Sequence, residues 1–201
     1  MANASHLARI SHMLIDEGYR VLYPARRIFS VYYDHERFPE YWKGEEGVVP
    51  RKKLRIRWYH NQFGYLDKAS FEVKITGVDG RMKFAAPIDS ADGGLASEIA
   101  DMRRLIDSRQ VRALSLVSYV RRYFSDYAGR RFTVDHDITY RSVHSFDMNS
   151  LLLGTVARDD SLALELKAPY ATDDISFAET VPMTRIRFSK FSRSLEHLQM
   201  V

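Results

Sequence analysis

The sequence predicts an α+β protein built mainly of antiparallel strands, with a few helices beside the sheet. Three observations lead there. Short segments alternate apolar and polar side chains, turn residues separate them, and no repeat or Pro/Gly-rich linker divides the 201 residues. Many strands in one small domain are most simply stabilised by closing the sheet on itself, because closure removes edges that would otherwise pair with other chains. The expectation is one domain over residues 1–201 with a closed or nearly closed barrel.

Taken in order, Ser5 to Glu17 places Leu7, Ile10, Met13 and Leu14 at helical spacing, so a short amphipathic helix opens the chain within a helical segment over residues 1–20. After Gly18 the character changes. Residues Ile28 to Tyr33 are rich in β-branched and aromatic side chains and read as a strand ended by Asp34. Strand-like segments follow at Lys53 to Tyr59, Ala69 to Thr76, Leu114 to Phe124, Arg131 to Tyr140, Leu162 to Leu166 and Thr184 to Phe188. Leu95 to Val111 has helical spacing instead, with Ile99, Met102, Leu105 and Ile106 on one face.

Composition excludes several classes. With 45% hydrophobic and 28% charged residues the chain has enough apolar surface for a core, and with no cysteine it has neither a disulfide framework nor a thiolate site. The longest apolar runs, such as Leu151 to Leu153, fall far short of the ~20 residues that span a bilayer, and the expected location is cytoplasmic. A net charge of +4, from 30 Lys and Arg against 26 Asp and Glu, calls for no nucleic-acid partner. The histidines lack metal-ligand spacing.

Placement of the charges says more than their sum. A strand alternates its side chains, so Lys53, Arg55, Arg57 and Tyr59 share one face while Leu54, Ile56 and Trp58 share the other. The same division sets Glu72 and Lys74 against Phe71, Val73 and Ile75, and Glu165 and Lys167 against the neighbouring leucines. Arg131, Thr133, Asp135 and Asp137 likewise fall on one side of their strand. A polar strand face in water explains any one of these. Together, turned inward, they would line a wet tunnel with Arg, Lys and a few carboxylates. Such a lining suits a polyanion, because guanidinium forks meet phosphate oxygens bidentately and Lys meets them as a point charge. A carboxylate among such bases either pairs with one of them or holds a hard divalent cation together with phosphate oxygens.

The order of these segments resembles the VTC domain family within the triphosphate tunnel metalloenzymes. The stretches that carry the likeness are Tyr23 to Asp34 (YPARRIFSVYYD), Lys53 to Tyr59 (KLRIRWY), Phe71 to Lys74 (FEVK), Arg131 to Asp135 (RFTVD) and Phe188 to Phe191 (FSKF). The family reads YPxRxVxSxYFD, KxRIRxY, LExK, RxTxD and FSKY or FSKF in the same order. Tyr119 to Arg121 is similar to its YxR stretch, and Glu165 to Lys167 to its late ExK strand.

The resemblance implies a triphosphate tunnel fold that transfers the terminal phosphate of ATP or another nucleoside triphosphate onto polyphosphate, with Mn2+ or Mg2+. Position by position it implies catalytic roles for Arg55, Arg57, Lys74 and Lys190, substrate binding by Arg121, Arg131, Lys83 and Arg187, and metal binding by Glu165. It leaves room for a membrane partner. Members usually begin with a strand of alternating acidic and basic residues upstream of YPxR, whereas Met1 to Asp16 has a helical pattern; a shortened domain or a barrel lacking one wall is expected. Hydrolysis of triphosphate or tripolyphosphate, and catalytically silent binding of polyphosphate or nucleotide, are the alternative activities such a tunnel supports.

Overall fold

The computed structural model describes residues 2–59, 69–89, 97–144, 151, 153–167 and 186–201. Four helices and eight strands occupy these residues: α1 (Ala2–Asp16), β1 (Arg20–Asp34), α2 (Pro39–Glu46), β2 (Arg51–Tyr59), β3 (Ser70–Gly77), β4 (Gly80–Pro87), α3 (Ser97–Asp107), β5 (Arg112–Ser125), β6 (Arg131–Ser142), β7 (Val156–Asp159), β8 (Ala163–Lys167) and α4 (Lys190–His197). All pairings are antiparallel, in the order β4-β3-β2-β1-β5-β6-β7, with β8 pairing the same edge of β6 as β7.

Most of the expected segments are present, and the differences have local causes. β1 begins well before Ile28, because β5 runs alongside it as far as Ser125. β4, β7, α2 and α4 lie outside the expected elements, and Ile186 to Ser189 form no strand where Thr184 to Phe188 was expected to; residues 184 and 185 lie outside the described ones. α1 ends as its sequence suggests: Gly18 adopts φ 83, a left-handed conformation open to glycine, and Tyr19 N–H reaches the Leu14 carbonyl at 2.9 Å.

Barrel closure, which the sequence led us to expect, is not found among the described residues. β4 stands at one end of the strand order and β7 and β8 at the other, with no pairing between them. β7 and β8 are short and share the edge of β6, so neither offers a full-length partner to the eight-residue β4. The sheet nevertheless curls. On a flat sheet Lys74 of β3 and Glu165 of β8 would stand five strand spacings apart, about 24 Å, well beyond the range of screened charges. Glu165 and Lys167 instead act on the Lys74 ammonium directly.

The faces bury different partners. On the convex face, Phe29, Val31, Leu54, Ile56, Trp58, Phe71 and Val73 pack beneath Ile99 and Met102 of α3. Further along that face Leu7, Ile10 and Leu14 of α1 cover Phe124, Phe132 and Val134. On the concave face α4 sets Phe191 and Leu195 against Tyr32, Val117, Tyr119 and Tyr140, and it stands at one end of the polar groove. Fully burying such side chains contributes roughly 1.5–3 kcal/mol each.

Candidate functional site

The groove is built from alternation and register. β2 pairs β1 with Tyr32 opposite Arg55 and Ser30 opposite Arg57, and β3 continues the row with Glu72 opposite Arg55 and Lys74 opposite Lys53. Arg55, with its apolar neighbours Leu54 and Ile56 turned to the convex core, therefore has nowhere to go but the concave side. There its Nε donates to Glu72 Oε2 at 2.6 Å and its Nη1 to Tyr32 Oη at 3.1 Å. Arg57 is buried; its Nε donates to Ser30 Oγ and its Nη2 to Tyr119 Oη, each at 3.2 Å, with Glu72 Oε2 3.8 Å from Nη1. Lys83 of β4 closes the set, its Nζ 2.8 Å from Glu72 Oε1.

A second centre forms where β5, β6 and α4 meet. Arg121 grips Asp135 bidentately at 2.6 and 2.8 Å, and Lys190 donates to the same carboxylate at 2.5 Å while lying 4.5 Å from the centre of the Tyr119 ring. Lys190 is the first residue of α4, where the helix dipole disfavours a cation. Asp135, not the helix, stabilises it there. Ser189 caps α4 by accepting from Ser192 N–H at 3.2 Å and also accepts from Lys53 Nζ at 2.8 Å. The start of α4 thus touches β2 and β6 at once. Below it, α2 is anchored by buried Asp34, whose carboxylate accepts from the N–H groups of His35, Glu40 and Tyr41.

Charge in the groove is unbalanced. Burial opposes ionisation of Glu72, but Arg55 and Arg57 outweigh it and hold the carboxyl at about 2. Asp135 is likewise lowered against its burial, by Arg121 and Lys190. Burial lowers Lys53, and the nearby cations Lys74, Arg51 and Arg187 lower it further. Lys74 is lowered by burial first and then by Arg81, Arg55 and Lys167. Burial raises the Tyr32 phenol, yet Arg55 and Arg57 bring it down to about 8. Cations that depress one another are a site short of negative charge.

Arg55, Arg57, Lys74, Lys83, Arg121, Lys190 and Glu165 all belong to this concave face. Two other expected residues lie at its margins, Arg131 on the same face of β6 as Asp135 and Arg187 near enough to Lys53 to help lower its pKa. Arg131 is exposed at the start of β6, about 13 Å along the strand from Asp135, and Arg187 is exposed with Nη1 donating to the Glu45 carbonyl at 3.1 Å. Glu165 is exposed, with Lys167 Nζ 3.7 Å away. No group of three or more His, Asp or Glu gathers for a metal among the described residues, so an ion at Glu165 would draw its other ligands from phosphate and water. The donor set fits that arrangement: Thr133, in register with Glu165, has a buried Oγ1 without a hydrogen-bond partner among the described residues.

Asp137 does not join the face on which alternation put it. A bulge opposite Tyr119 inserts it with φ 50, a left-handed conformation that aspartate tolerates better than most residues, and it pairs with Arg27 on the convex side. A convex cavity of about 310 Å³, lined in part by Arg27, Ser118 and Arg141, opens beside it and has no part in the groove. Lys53, Tyr32, Tyr119 and Asp135 join the site without having been assigned a role from the sequence. Lys53 and Asp135 were legible as members of polar strand faces; that Tyr32 and Tyr119 meet the arginines needed the fold.

These features define an antiparallel sheet protein with a basic, partly buried groove on its concave face. The chain belongs to the VTC domain family, whose model matches residues 4–199. In structure it is similar to the PH1819 protein of Pyrococcus horikoshii OT3, at 15% identity and TM-score 0.52 over 95% of this chain and 92% of that one. It is also similar to a candidate adenylate cyclase from Vibrio parahaemolyticus, at 12% identity and TM-score 0.38 over 62% and 59% of the two chains. No curated protein matches the sequence. Among the described residues no helix is long and apolar enough to cross a membrane.

Proposed function

We propose that this chain is a metal-dependent polyphosphate polymerase that moves the terminal phosphate of a nucleoside triphosphate onto a polyphosphate chain held in the groove. The observation that carries the reading is the gathering of Arg55, Arg57, Lys53, Lys74, Arg121 and Lys190 from β2, β3, β5 and α4 onto one face, around carboxylates too few to neutralise them. VTC family membership supports it.

In the proposed reaction an oxyanion of the acceptor's terminal phosphate attacks the γ-phosphorus, and the bond to the β–γ bridging oxygen breaks. The nucleoside diphosphate leaves with the electron pair. No proton need be removed from the acceptor. The protein's part is to hold donor and acceptor in line while Arg and Lys neutralise charge on the transferring group. Mg2+ or Mn2+, held at Glu165 and the substrate phosphates, would supply further charge neutralisation. Hydrolysis, by contrast, needs a base to take a proton from water. Glu72 and Asp135 are held low by their arginines and are poorly suited to that task.

The test is incubation of the purified chain with ATP and Mn2+, with products resolved on a gel stained for polyphosphate. Polymer from the wild type but not from Arg57→Ala or Glu165→Ala is the expected result. Free phosphate without polymer would identify a hydrolase, and tight polyphosphate binding without turnover would identify a binding module.

A further inference from the structure

Beyond Arg121 the concave face continues in aromatic rings. Tyr123 follows Arg121 by two residues on β5 and so shares its face, and Tyr59 follows Arg57 in the same way on β2. Tyr23 stands opposite Tyr123 in register, their ring centres 5.7 Å apart with planes at 80°. The Arg26 guanidinium lies 5.2 Å from the centre of the Tyr23 ring and 5.9 Å from that of Tyr123. An irregularity in the β1–β5 register between Tyr23 and Arg26 brings both to the groove side, since Arg26 pairs with Arg121 and Tyr23 with Tyr123.

The α1 core lies on the other side of the sheet, so the groove side of this cluster is open to solvent. Residues Arg20 to Arg26 of β1 are all exposed; Tyr23 retains 48% and Tyr59 37% of its surface. A cross-strand aromatic pair stabilises a sheet modestly, but that does not account for three tyrosines and an arginine gathered at the open end of a phosphate-binding face. One strand step of two residues, about 6.6 Å, separates Arg121 from Tyr123, a distance on the scale of a ribose.

We infer that Tyr23, Tyr59 and Tyr123, with Arg26, seat the base of a nucleoside triphosphate whose phosphates lie along Arg121, Arg57 and Arg55. The inference rests on the phosphate-binding reading above and adds the subsite that separates a nucleotide from inorganic tripolyphosphate. An exposed tyrosine ring recognises any base by its π-face, so the site takes ATP and GTP alike and favours purines over pyrimidines by stacking area.

Calorimetric titration of ATP, methyl triphosphate and inorganic tripolyphosphate into the full chain tests this, with melting curves to confirm that each variant folds. ATP binds the wild type more tightly than methyl triphosphate does. Tyr23→Leu combined with Tyr123→Leu weakens ATP about 10-fold, the size of one base–aromatic stack, and leaves tripolyphosphate within twofold; Tyr23→Phe with Tyr123→Phe restores ATP. If tripolyphosphate binds but ATP has no advantage over methyl triphosphate, or the leucine pair weakens all three ligands equally, the base seat is wrong and the phosphate reading stands. A wild type that binds none of them overturns both.

Discussion

Replacing Glu72 with Gln separates stability from binding. Glu72 is buried and contacts Arg55, Arg57 and Lys83, and its carboxyl is held at about 2 against an ordinary value of 4.5. At about 1.4 kcal/mol per pH unit the difference corresponds to about 3 kcal/mol of folding stability, near the low end of the roughly 3–5 kcal/mol lost when one partner of a buried ion pair is removed. Because the folded pKa is depressed, that contribution is fully present above about pH 4.5 and is lost as pH falls through about 2. For a chain of this size it translates to a Tm lower by about 6–12 °C. The same substitution removes the negative charge that competes with phosphate for Arg55 and Arg57, so tripolyphosphate should bind on the order of tenfold more tightly at low salt. Thermal unfolding by circular dichroism in EDTA, with and without tripolyphosphate, reads both effects. Glu72→Gln should melt earlier alone and gain a larger ligand-induced shift than the wild type. An unchanged Tm, or weaker tripolyphosphate binding without metal, would refute the role of Glu72 as internal counterion.

Further outcomes follow from the same geometry. Anion affinity, measured by titration from pH 7 to 9.5, should fall as the pH rises through about 8, because ionised Tyr32 places a negative charge beside Arg55; Tyr32→Phe should flatten that fall. Asp159 accepts from Tyr140 and bidentately from Arg193, which holds α4 to β7, and its pKa is lowered by these bonds against its burial. Asp159→Asn should cost about 3 kcal/mol by urea unfolding at neutral pH, and the cost should shrink in acid as the wild-type carboxylate loses its charge. At the bulge, Asp137→Val should cost about 1–3 kcal/mol because a β-branched residue resists φ 50, and Asp137→Gly should cost less than the valine.

The sequence by itself determined what a strand's own alternation determines. Leu54, Ile56 and Trp58 are apolar and Arg55 and Arg57 are not, and a period of two leaves one arrangement that buries the first set. The spacing of Leu7, Ile10 and Leu14 determined α1 in the same local way. The motif order, short as each piece is, was enough to place the chain in its family.

Tertiary structure decided what depends on residues far apart in the chain. Asp135 reads from the sequence as one polar residue of its strand face among several, and its part in the site shows only when Arg121 and Lys190 are brought to it. The bulge at Asp137 shifts the alternation by one, and only pairing with β5 reveals it. Closure was a sound inference from the cost of exposed edges, but edge pairing depends on strand length and on which edge each strand takes. Here β7 and β8 divide one edge of β6, while the sheet still curls enough for Glu165 to act on Lys74. Local pattern specifies which face a side chain takes; the curvature of the whole sheet specifies what it meets there.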